Sequence, residues 1–174
     1  MKIILPLLIE QKLAAVLRQA GWQEIGGILM GEHVAEGVYR IQDVTIQGQA
    51  GTFASFVRLA REIVGPLHRF FRKTHHDYTL FNYLGEWHSH PSFLPRPSSR
   101  DSETIWEMLQ DTETGANFAV LLVVRLSEAR QLEGTATIYL HAHVSFAAEL
   151  LREGAVGLPS QEGMANGEPG QQGS

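Results

Sequence analysis

His88 and His90 stand one residue apart, followed by Pro91, six further residues, and then Ser98-x-x-Asp101. Imidazole and carboxylate side chains bind divalent metals through nitrogen and oxygen. In an extended strand, positions i and i+2 face the same side about 6.6 Å apart, so both histidines can lean toward one ion. The proline-rich stretch after them reads as a loop that opens a helix, and Asp101 can arrive from that helix as a third ligand. Two imidazoles and one carboxylate leave the fourth position of a zinc ion open to water. That is the arrangement of a catalytic site rather than a structural one.

Each piece also has an ordinary reading. A His-x-His pair on a strand is most often a polar face. Ser98-x-x-Asp101 ahead of Ile105, Met108 and Leu109 is the pattern of a helix N-cap with an acidic third position. Pro91, Pro95 and Pro97 suit a stiff connection. What sets the stretch apart is the combination at fixed spacing, with an upstream acid, Glu24, heading Glu24-Ile25-Gly26-Gly27-Ile28-Leu29-Met30-Gly31. Glu86 is a competing carboxylate, because strand alternation sets it on the face of both histidines.

With Glu24 included, the chain resembles the JAMM (MPN+) metalloprotease family, whose signature is an N-terminal Glu, then His-x-His-Pro, then Ser-x-x-Asp. The resemblance spans roughly residues 1 to 150, and Gly85-Glu86-Trp87-His88-Ser89-His90-Pro91 is similar to the compact prokaryotic branch. It implies the MPN/JAB (cytidine-deaminase-like) architecture and one zinc ion (Zn2+) per chain, held by His88, His90 and Asp101. It further implies that Glu24 is the general acid–base, and that Ser98 donates a hydrogen bond to the developing oxyanion. The implied reaction is peptide or isopeptide hydrolysis after the C-terminal glycine of a ubiquitin-like protein, by deconjugation or precursor processing. Some prokaryotic relatives do this in antiviral defence. The implied partner is a ubiquitin-like protein or its conjugates. Relatives that select one ubiquitin linkage carry insertions and a Cys-containing second zinc site, and this chain has no cysteine. Two other classes stay open: a metallopeptidase acting on small peptides or on phage-tail or cell-wall substrates, and a non-catalytic MPN scaffold.

Composition bounds these readings. At 174 residues, 44% hydrophobic and 19% charged, the chain fits one soluble domain with a substantial core. The lack of cysteine excludes a disulfide framework, a thiol nucleophile and any thiolate metal ligand. It also agrees with a cytoplasmic setting. A net charge of −5 argues against nucleic-acid binding through a basic surface. No apolar run is long enough for a membrane span. Near the start, Pro6, Glu10, Gln11 and Lys12 interrupt the core that a signal peptide requires, so a short strand and an amphipathic helix are expected there.

The periodicities predict a mixed α/β domain over residues 1–152, a single curved sheet flanked by helices, followed by a disordered Gly/Pro/Gln-rich tail over 153–174. Leu7, Leu8, Leu13, Val16 and Leu17 form a helical stripe ended by Gly21. Strands are expected at Ile25–Met30, Val38–Gln47, Phe53–Val57, Thr79–Trp87 and Phe118–Leu126, with a loop at Gly48–Gly51. Gly26 and Gly27 mark a bulge or a close backbone approach. A helix over Arg58–Lys73 should be kinked or split at Gly65-Pro66. Its basic face (Arg58, Arg61, Arg69, Arg72, Lys73) reads as solvated surface, with partner binding the alternative. A helix over Ser99–Gln110 carries Asp101. Thr135–Phe146 alternates without a break and reads as one strand. His141-x-His143 lies on its polar face with no Ser-x-x-Asp after it, and His75-His76-Asp77 suits a surface loop.

Overall fold

The computed structural model describes residues 1–47, 56–111 and 115–154, with 56–63 described by backbone alone. Its elements are β1 (Lys2–Leu5), α1 (Leu7–Ala20), β2 (Gly26–Ala35), β3 (Val38–Val44), α2 (Phe56–Lys73), β4 (Phe81–Ser89), α3 (Ser99–Gln110), β5 (Phe118–Leu126), β6 (Leu132–Leu140) and β7 (Val144–Arg152). The fold is mixed α/β as expected, but the curved sheet goes further and closes into a barrel, β1-β3-β2-β4-β5-β6-β7. Closure comes from β1, which pairs in parallel with both β3 and β7. With a neighbour on each side, the strands lose the long free edges that invite other chains to pair.

The near-continuous apolar run of β5 follows from burial on both faces. Val120, Leu122 and Val124 pack inward with Trp87 and with Leu13 and Leu17 of α1. Ala119, Leu121 and Val123 face outward under Ile105, Met108 and Leu109 of α3. Beside them Phe70 of α2 covers Ile28 and Met30 of β2. The chain crosses from β4 through α3 into β5, the usual way to join two parallel strands. Among the described residues no helix is long and apolar enough to cross a membrane.

Several expectations change. Leu7 and Leu8 are exposed, and Ile9 and Ala14 take their places on the buried stripe of α1. Phe56 and Val57 open α2 rather than ending a strand, and α2 runs unbroken through Pro66. The strand expected from Thr135 to Phe146 is two: β6 and β7 form a hairpin joined by a single helical turn, His141–His143. Ala142 and His143 adopt φ of 66° and 57° there, which reverses the chain without a glycine to announce it. His141 and His143 therefore sit in a turn, bonded to the Ala116 carbonyl and to Gln110, not on a strand face. Residues 48–51, 53–55 and 155–174, where a loop, part of a strand and the tail were expected, lie outside the described residues. Glu153 is tied in by its N–H to the Leu5 carbonyl and by Arg40. Arg69, Arg72 and Lys73 are exposed; the side chains of Arg58 and Arg61 are outside the described set.

Candidate metal centre

The register of β4 decides which side chains reach the site. Gly26 lies opposite His88 and Ile28 opposite Glu86, after which the ladder slips: Leu29 faces Gly85 and Met30 faces Tyr83. Leu84 is the extra residue, and it packs into the inner core. The bulge thereby brings Tyr83 onto the outer face shared by Glu86 and His88. Gly85 makes the bulge possible. A Cβ there would stand 2.0 Å from the Val120 carbonyl oxygen, and its φ of +148° suits glycine alone. The pair Gly26-Gly27 marks close backbone approach, as expected: a Cβ on Gly26 would meet the Trp87 oxygen at 2.6 Å, and one on Gly27 the Thr45 oxygen at 2.1 Å.

At the end of β4 the two histidines converge. His88 Nε2 and His90 Nε2 are 3.0 Å apart, and Asp101 Oδ2 lies 3.5 Å from the first and 3.6 Å from the second. Four-coordinate zinc with bonds of about 2.0–2.1 Å holds its ligand atoms about 3.4 Å apart, so the three donors already stand close to the edges of such a tetrahedron. Nitrogen and carboxylate donors without thiolate suit zinc or a similar divalent ion. His90 Nδ1 faces the Leu94 carbonyl at 3.3 Å. A carbonyl only accepts, so with the proton on Nδ1 this contact would be a hydrogen bond and Nε2 would keep its lone pair for a metal. Among the described residues, this is the group of three whose donors could hold an ion.

Asp101 serves two purposes. It is the third residue of α3, whose N-cap is Ser98. Its carboxylate accepts the Ser98 N–H at 2.6 Å, while Ser98 Oγ accepts the Asp101 N–H at 3.2 Å. The capping reading and the ligand reading are therefore both realised. Burial alone would raise this carboxyl. Hydrogen bonds from His88 and Ser98, with the charge of His88, outweigh it and hold Asp101 well below the usual carboxylate range.

Glu24 is exposed and lies just ahead of β2. Ser89 pins that segment twice: its N–H donates to the Ile25 carbonyl at 2.8 Å, and its Oγ accepts the Ile25 N–H at 3.0 Å. The β2–β4 pairing ends at Gly26–His88; extended by two residues beyond both strands, the same register would bring Glu24 opposite His90. Directly opposed residues share a face. The residue between Glu24 and Ile28 on that face is Gly26, which leaves the space over His88 clear. Glu86 is on the same side but only 3% exposed. Burial pushes its carboxyl up to about 8, and the neighbouring Tyr83 hydroxyl is also pushed up, by burial and by Glu86.

Motif reading overlooked Ser89 and the Leu84 bulge. Ser89 is fully buried and alternates away from both histidines, so its value lies in the strand beside it. The signal for the bulge was Gly85, a glycine in the middle of a strand.

The solved structures that resemble this chain show its fold. A protein from Desulfitobacterium hafniense, determined in solution, superposes with a TM-score of 0.62 at 19% identity, covering 87% of this chain and 92% of its own. A second, from Salinibacter ruber, gives a TM-score of 0.51 at 17% identity over 96% and 97% of the two chains. No curated protein matches. The model of the prokaryotic homologs of the JAB domain matches residues 8–144, from the start of α1 to the start of β7, and contains every residue of the site. The chain belongs to that family, the prokaryotic JAB-domain homologs.

Proposed function

We propose that this chain is a zinc-dependent peptidase or isopeptidase that hydrolyses the bond after the C-terminal glycine of a ubiquitin-like protein, in deconjugation or precursor processing. One observation carries the reading: the three donor atoms of His88, His90 and Asp101 stand 3.0, 3.5 and 3.6 Å apart, with His90 Nδ1 facing the Leu94 carbonyl. The ubiquitin-like substrate rests on the resemblance of the signature, and the same reading sets the enzyme with its substrate in the cytoplasm. Bound there, zinc would polarise a carbonyl and lower the pKa of a water to about 7.

The chain's own residues supply the proton handling. Glu24 takes a proton from the attacking water as its oxygen bonds to the carbonyl carbon. It then delivers that proton to the amine nitrogen as the C–N bond breaks, leaving a carboxylate and a free amine. Ser98 accepts at Oγ from the Asp101 N–H, which leaves its own O–H to donate to the carbonyl oxygen as negative charge develops. Glu86, on the same face of β4 as His88, is closed off from water by burial.

The test is metal content with activity. Purified protein should carry about one zinc per chain. It should release a fluorogenic amine attached to the C-terminal glycine of a ubiquitin-like protein, lose that activity to a chelator, and regain it with zinc. Full turnover by demonstrably metal-free protein would overturn the mechanism.

A further inference from the structure

Beside the metal centre lies a groove of about 370 Å³ between the end of α1 and the β5–β6 hairpin. It begins at Pro91, the residue after His90, and at Trp22, two residues before Glu24. We infer that it holds an extended segment of the substrate next to the bond cleaved, and that this segment carries an acidic side chain beside an apolar one. The inference rests on the peptidase reading and adds the substrate's chemistry to it.

Four observations point the same way. Trp22 is 83% exposed, although a tryptophan loses more by standing in water than almost any other residue. It forms the apolar wall with Leu17 and Pro91. The cations facing it include Arg18 and Arg130, neither with an acidic partner among the described residues, in a chain of net charge −5. Arg125 is occupied by Glu133 at 2.7 Å, and Glu128 is the acid in the lining.

Arg130 is also held at φ of 58°. The hairpin closes with the Arg130 N–H on the Ser127 carbonyl at 2.8 Å and the Ser127 N–H on the Gln131 carbonyl at 2.9 Å. That is a three-residue loop whose last position is left-handed, the place where glycine is favoured. An arginine there holds a backbone conformation that glycine adopts more readily, and it keeps a cationic side chain on the groove.

The floor supplies backbone groups. The β4–β5 ladder ends with the His90 N–H on the Val124 carbonyl at 2.9 Å. Since Val124 faces β4 and Ser127 bonds toward β6, alternation turns the N–H and C=O of Leu126 toward the groove. Among the described residues nothing pairs with them on that side. In a barrel otherwise closed, this is a short open edge on which an extended peptide can lie.

The experiment measures binding without turnover. The zinc-loaded Glu24→Gln protein is titrated into three fluorescein-tagged peptides: Glu-Leu-Gly-Gly-Leu-Glu and its glutamine and lysine twins. The acidic peptide should bind about tenfold more tightly than the glutamine twin at low salt, with the gap closing in high salt. Reversing both Arg18→Glu and Arg130→Glu should transfer the preference to the lysine twin. Arg130→Gly should fold at least as stably and yet lose part of the acidic preference, which separates binding from folding. Equal binding of the three peptides, no binding of any, or a preference unchanged by the double reversal overturns the inference. Acid-selective binding by a protein whose wild type hydrolyses nothing would instead sink the peptidase reading and leave the groove standing.

Discussion

Asp101 Oδ2 accepts the Ser98 backbone N–H at 2.6 Å while standing 3.5 Å from His88 Nε2. The helix cap of α3 is thus built from the atom that faces the metal position. The cap orients the carboxylate from behind, as hydrogen-bonded partners of metal ligands commonly do.

This division of labour predicts a split between two substitutions. Ser98→Ala removes Oγ but keeps the backbone N–H that orients Asp101. The variant should lose about 1 kcal/mol of stability, retain one zinc, and lose about two to three orders of magnitude in kcat. Asp101→Asn can still cap the helix, so it should melt near the wild type and yet fail to hold zinc. Loss of zinc from Ser98→Ala, measured by metal analysis after gel filtration, would show that the roles are not separable.

Ser89 yields a second prediction. Its Oγ is the acceptor for the buried Ile25 N–H, one residue from Glu24. Ser89→Ala leaves that N–H without a partner, at a cost of about 1–3 kcal/mol, and loosens the segment that carries Glu24. Stability and kcat should fall while zinc content and KM hold. Ser89→Thr, which keeps the hydroxyl, should recover most of the rate. Equal kcat in wild type and Ser89→Ala would reduce Ser89 to a packing residue.

The convergence of His88, His90 and Asp101 was legible because their residue types stand at short spacing, and two strand positions plus a helix start bring them together. The bounds of α3 and β5 were legible for a similar reason: a Ser cap and an apolar run are local signals. What escaped depends on contacts distant in sequence or on single dihedrals. Closure of the barrel joins Lys2 to Glu149, and no local pattern announces that pairing. The break between β6 and β7 rests on Ala142 and His143 in left-handed conformations that neither residue type favours. Leu7 and Leu8 read as core because periodicity shows a stripe but not which part of it meets the barrel.

The buried carboxyl of Glu86 predicts a pH dependence in the metal-free protein. Its folded-state value of about 8 lies above the ordinary 4.5, so the folded chain holds this proton more tightly than the unfolded one. The penalty is absent below about 4.5, grows as pH rises toward 8, and is constant above; at its full extent it is on the order of a few kcal/mol. In Glu86→Gln the penalty disappears. Chemical denaturation with chelator present should therefore show the variant gaining on wild type between pH 5 and 8. Parallel stability curves would mean that Glu86 ionises freely in the folded state.

The two candidate bases, Glu24 and Glu86, can be told apart by turnover. Glu86 is nearer in sequence and shares the outer face, but it is sealed beneath that face at 3% exposure. Glu24 is exposed, just ahead of β2, and extending the β2–β4 register past its Gly26–His88 end would bring it opposite His90. A general base must reach the proton that it removes, and Glu24 alone of the pair is open to water. Glu24→Gln should keep zinc and lower kcat by at least about two orders of magnitude. Glu86→Gln should change kcat far less, acting through the strand that carries the ligands. Kinetics on one fluorogenic conjugate, with zinc measured in each variant, decides the matter. If Glu86→Gln abolished turnover while Glu24→Gln barely slowed it, the base would have to be reassigned and the region around Tyr83 and Glu86 would have to open to water during the reaction.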